Sequence, residues 1–144
     1  MKEIQLSIEI NASKERVWLT LWEEETFRNW ANIIDEGTYI KGIMKEGNEI
    51  QFLSSGGYGV TSLIKKLDPN EFVLFIHDAD TKENGQQIRE KEWTGGSESY
   101  ALTEKNGVTT LTVTTDVPQE QEETFNITLP KALERIKMLA EKMN

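Results

Sequence analysis

Two stretches of this chain carry residue types that could do chemistry. His77, the only histidine, stands beside Asp78 and three residues before Asp80. An imidazole with a carboxylate near it is the pairing a general base requires. The apolar run Phe72 to Ile76 precedes it, and strand alternation puts His77 on the face of Val73 and Phe75. A lone histidine at a strand end more often makes a structural hydrogen bond than a proton transfer. Metal binding by His77, Asp78 and Asp80 is weaker, because neighbouring residues on a strand point to opposite faces. Ser54-Ser55-Gly56-Gly57-Tyr58-Gly59 has the glycine content of a phosphate loop but lacks the Lys and Ser/Thr that would follow it, and reads as a hairpin turn. There is no cysteine, so thiol nucleophiles, thiolate metal sites and disulfides are excluded. No strand-turn-helix serine motif completes a nucleophilic triad.

The elements that must position these residues follow from periodicity. Ile4, Leu6, Ile8 and Ile10 alternate as a strand. The spacing then turns helical, with Val17, Trp18, Leu21 and Trp22 on one side of a short helix capped by Ser13. A second short helix carries Phe27 and Trp30, and Glu23-Glu24-Glu25 between the two reads as a solvated junction. From Asp35 to Val117 six strands follow, separated by turn residues such as Asp68-Pro69-Asn70 and Asn106-Gly107. Phe72 to Ile76, apolar on both faces, is the expected central strand. Thr110, Thr112 and Thr114 are expected to face solvent.

A closing helix runs from about Pro118. Phe125, Leu129, Ala132, Leu133, Ile136, Ala140 and Met143 form its apolar stripe, and Pro130 predicts a kink or a fresh start of the main helix. The stretch from Asp78 to Gly96 is almost entirely polar apart from Ile88 and Trp93, and reads as an exposed hairpin or a gate.

At 144 residues, one domain spanning residues 1–144 is expected. The formal charge of −9 is spread along the chain and repels phosphate backbones and anionic lipid, so neither nucleic acid nor a membrane is an expected partner. No basic-then-apolar leader precedes Ile4 and no run approaches the roughly 20 apolar residues of a membrane span, so a cytoplasmic protein is expected.

Taken together, the residues resemble a known family. Ile10-Asn11-Ala12-Ser13-Lys14-Glu15-Arg16-Val17-Trp18 with Trp30, Trp93 with Glu98 to Gly107, and Phe125 with Leu129-Pro130-Lys131-Ala132-Leu133 are similar to the START-like, birch-pollen-allergen-like superfamily. Within it they look most like the branch named after the activator of the heat-shock-protein ATPase. The resemblance implies an α+β helix-grip fold: a curved antiparallel sheet of about seven strands, two short helices after the first strand, and a long C-terminal helix across the sheet. It also implies a cavity for an apolar or amphipathic small molecule, lined by Trp22, Phe52, Tyr58, Phe75, His77, Trp93, Tyr100, Phe125 and Leu129. No cofactor is implied. A protein-interaction role toward a chaperone is the second expectation, weakened because the eukaryotic co-chaperones of this branch carry an extra N-terminal domain not seen before Ile10. A cyclase or hydrolase using His77 is the third.

Overall fold

The computed structural model describes residues 1–142. It opens with β1 (Lys2–Ile10), whose Ile4 and Ile10 are buried, and then α1 (Lys14–Trp22). Ser13 caps α1, its hydroxyl oxygen accepting the Arg16 N–H at 3.2 Å. Glu23 ends α1 and starts α2 (Glu24–Ile34), so the acidic junction is one exposed corner shared by two helices. The strands β2 (Tyr39–Lys41), β3 (Glu49–Leu53), β4 (Gly59–Asp68), β5 (Phe72–Lys82), β6 (Gln87–Ile88), β7 (Ser97–Lys105) and β8 (Val108–Val117) follow, and α3 (Glu122–Lys142) closes the described chain.

All these strands pair antiparallel in one curved sheet in the order β1-β8-β7-β5-β4-β3-β2, with β6 attached to β5. The two-residue β6 is the strand that sequence periodicity does not reveal. β5 is central, with Val73 and Phe75 fully buried on the concave face and Leu74 and Ile76 half-buried on the other. The last hairpin turns on Asn106 and Gly107, whose φ values of 53° and 78° give the twist a two-residue loop needs. Thr112 and Thr114 are half-buried on the outer face, where they hydrogen-bond Ser7 and Gln5 across the β1–β8 pair.

The concave face is filled from one end by rings. Trp22, Phe27, Trp30, Phe52, Phe75 and Tyr100 meet at centroid separations down to 4.9 Å for Trp22 on Tyr100. Leu129, Ala132, Leu133, Ile136 and Ala140 are the buried stripe of α3, which packs on α2, α1 and β1. Met143 lies outside the described residues. α3 does not start again at Pro130: it is one helix with the proline inside. Burial of this stripe on both sides of Pro130 outweighs the one backbone bond it removes.

At Gly59, β4 passes so near β3 that a Cβ would lie 1.8 Å from the Phe52 carbonyl oxygen. Gly59→Ala is therefore expected to force the two strands apart and cost about 3 kcal/mol or more, read as a lowered urea midpoint.

Candidate functional site

Between the concave face and the first half of α3 lies a cavity of about 420 Å³, within the range of small-molecule sites. Phe27 and Trp30 of α2, Phe52 of β3, Trp93, and Phe125 and Leu129 of α3 supply its apolar wall. Tyr58 and Thr124, both exposed, stand at its rim.

Of the residues singled out from the sequence, Phe52, Tyr58, His77, Trp93, Tyr100, Phe125 and Leu129 line this cavity. Trp22 and Phe75 do not. Phe75 is fully buried, with Trp22 edge-on at 5.5 Å and Phe52 at 5.1 Å. Trp22 borders a separate hollow of about 240 Å³ with Phe27, Arg28 and Met44. Register and helix face give a side chain's direction, and both of these pack into the core. Depth is set by the rings stacked above them.

The inner end of the cavity is polar. His77, 3% exposed, has Nδ1 2.7 Å from the Ser62 hydroxyl and Nε2 3.9 Å from Glu98 Oε1. The Tyr100 hydroxyl donates to Glu98 Oε2. Burial first, and then the charge of and hydrogen bond to Glu98, push the Tyr100 phenol well above its ordinary value, so it stays protonated as the donor. Thr115, facing Glu98 across the β7–β8 pair, has a buried hydroxyl with no partner among the described residues. Ser62 is fully buried and absent from the cavity wall, so its contact with His77 orients the ring without offering a nucleophile to the cavity. Sequence reasoning passed over Glu98 as a site residue. Its signal is alternation: two residues before Tyr100, it shares the inward face.

Asp80 is the other residue it undervalued. β4 and β5 pair Ser62 with His77 but Thr61 with Ala79, so Asp78 is an extra, bulged residue. The bulge resets the alternation, and Asp80, opposite Val60, is fully buried. Its carboxylate accepts the backbone N–H groups of Glu92, Trp93 and Thr94 at 2.9 Å each and the Thr94 hydroxyl at 2.6 Å. Arg89 adds an ion pair at 3.3 Å. The polar stretch from Asp78 to Gly96 is thus a folded-back wall whose two ends Asp80 ties together, which places Trp93 on Phe125 at 5.3 Å. Burial alone would raise the Asp80 carboxyl; the hydrogen bonds from Thr94, Glu92 and Trp93 outweigh it and hold the group below the usual carboxylate range. Among the described residues no cluster of three or more His, Asp or Glu is placed to hold a metal ion, and no helix is long and apolar enough to cross a membrane.

A curved sheet closed by one long helix over a ring-walled cavity defines a helix-grip domain. The chain belongs to the family described as activator of Hsp90 ATPase homolog 1-like protein, whose model matches residues 11–141. Among solved structures, a protein of Mesorhizobium loti is similar with a TM-score of 0.75 and 12% identity, covering 99% of both chains. The Aha1 dimer of Colwellia psychrerythraea is similar with a TM-score of 0.73 and 24% identity, covering 98% of this chain and 97% of that one. A protein of Chromobacterium violaceum matches with a TM-score of 0.70 and 17% identity over 96% of each chain. A search of the curated proteins finds no match to the chain. At these identities the structural likeness is one of fold.

Asp80→Ala is expected to cost about 2–4 kcal/mol, since it strands three backbone donors and Arg89. Hydrogen exchange should show the amides of Glu92, Trp93 and Thr94 losing protection together. Because the folded carboxyl titrates below the unfolded value, its contribution is full above about pH 4 and disappears as the pH falls through the folded value. A pH series of urea melts should therefore show the wild type losing stability on acidification more steeply than Asp80→Asn.

Proposed function

We propose that this protein binds an apolar or amphipathic small molecule in the cavity between sheet and α3. The observation that carries this reading is the join of an aromatic wall to a buried polar end within one space of about 420 Å³. Phe52, Trp93, Phe125 and Leu129 take the apolar body of the ligand, and His77, Glu98 and Tyr100 orient its polar end. Burying about 200 Å² of apolar ligand surface contributes roughly 5 kcal/mol before the cost of immobilisation. Trp22 and Phe75 act as support: they fix the depth of the cavity floor. In this reading residues 1–144 work as one domain without a cofactor, and Tyr58 and Thr124 frame the entrance.

A second reading, an interaction module acting on a chaperone or a second copy, is favoured by the family and by the dimeric Aha1 of Colwellia psychrerythraea. The charge of −9 makes such contacts salt-sensitive. Salt-dependent recovery of one partner by a protein whose cavity takes up nothing would favour it over the first.

Native mass spectrometry of gently purified protein, joined to a thermal-shift panel of lipids and metabolites, tests the first reading. A bound compound or a ligand-induced rise in Tm is the expected result, and neither would sink it. Thr124→Trp puts a bulky ring at the rim without touching the buried stripe of α3. It should leave the ligand-free Tm unchanged and weaken binding by about tenfold or more.

A further inference from the structure

The polar end of the cavity also says what kind of head group it suits. This step rests on the ligand-binding reading above and concerns the same site.

Four charged residues border the cavity: Asp35, Arg89, Glu92 and Glu98. Arg89, the one cation, is fully engaged. Its Nε donates to the Thr81 carbonyl at 2.9 Å, one terminal nitrogen faces Glu92 at 3.3 Å, and the other reaches the Gly59 carbonyl and Asp80. Glu92 is taken up by Arg89 and by the Gln121 amide at 3.0 Å. Glu98 differs. Its Oε2 accepts from Tyr100, but Oε1 faces His77 Nε2 at 3.9 Å, beyond hydrogen-bond reach.

An oxygen or nitrogen set to the cavity side of the Nε2–Oε1 line can lie about 2.8 Å from both and bridge them. The two tautomers of the His77 ring suit either kind. With Ser62 donating to Nδ1, the ring proton sits on Nε2 and a ligand hydroxyl accepts from it while donating to Glu98. With Nδ1 donating to Ser62, Nε2 accepts from a ligand ammonium that also donates to Glu98. The unpartnered Thr115 hydroxyl, opposite Glu98, is a further acceptor or donor within this buried end. A carboxylate finds no such place: its oxygens would meet the like charge of Glu98, and the one cation on the cavity wall, Arg89, is committed elsewhere.

We propose that the cavity selects amphipathic molecules whose polar end donates a hydrogen bond, an alcohol or a protonated amine, seated between His77 and Glu98, and that it rejects anionic amphiphiles such as carboxylic acids.

Three probes on one ring system test this: 2-naphthylmethanol, 2-naphthylmethylamine and 2-naphthoate, titrated at neutral pH by calorimetry and by the fluorescence of the cavity tryptophans. The alcohol and the amine are expected to bind about tenfold or more tightly than the carboxylate. Glu98→Gln, close in shape, should bring 2-naphthoate to within about threefold of the other two, with circular dichroism melts confirming that the variant folds. If 2-naphthoate binds the wild type as tightly as the others, the head-group selection is overturned and the pocket itself stands. An unchanged preference in a folded Glu98→Gln protein overturns the assignment to Glu98. Absence of binding by all three, together with a silent lipid and metabolite panel, overturns the pocket and the selection with it.

Discussion

The bulge at Asp78 is the constraint on which the working face of this molecule depends. A regular strand would send His77 and Asp80 to opposite sides of the sheet. One extra residue in β5 turns both inward, three positions apart. His77 then forms the polar end of the cavity, while Asp80 gathers the chain that forms one of its walls. Both jobs use the same short length of strand.

Around that point the interior divides into a solid part and a hollow part, and side-chain volume draws the line. Trp22, Phe27, Phe75 and Tyr100 pack against one another under α1 and α2, Trp22 stacked on Phe27 and edge-on to Phe75 and Tyr100. Toward the start of α3 the rings are fewer, and Phe125 and Leu129 span a gap that the sheet's curvature holds open. The later half of α3 closes tightly, pinned by Lys137 to the Glu9 carbonyl and by Glu141 to the Asn11 N–H. The start of α3 is tied more lightly, by Lys2 to Glu122 and by the preceding Gln121 to Glu92, and Asp80 fixes how the remaining side is walled.

Much of this was legible in the residues. Ile4 to Ile10, the Ser13 cap, Phe27 with Trp30, and the Asn106-Gly107 turn are local signals, each set by neighbours within a few positions, and they assemble into the observed sheet and helices. At Pro130 a local rule meets a long-range one: packing of Ala132, Leu133 and Ile136 keeps one helix running through the proline, without a fresh start. Trp22 and Phe75 lie outside the lining of the cavity, since nothing in a strand's register records what lies on top of it. The Asp78 to Gly96 stretch looked unsupported because its anchor, Asp80, is one aspartate among many until its burial is seen.

By itself the sequence determined the kind of fold, the order of its elements and which residues turn inward, because alternation, helical spacing and turn chemistry act over short distances along the chain. Tertiary structure alone decided where the interior is filled and where it is empty, and that Glu98 faces His77 across 3.9 Å. Those outcomes depend on a one-residue bulge and on the summed volumes of side chains brought together from β3, β5, β7, α2 and α3. Cavities are what packing leaves over, and no local pattern encodes a remainder.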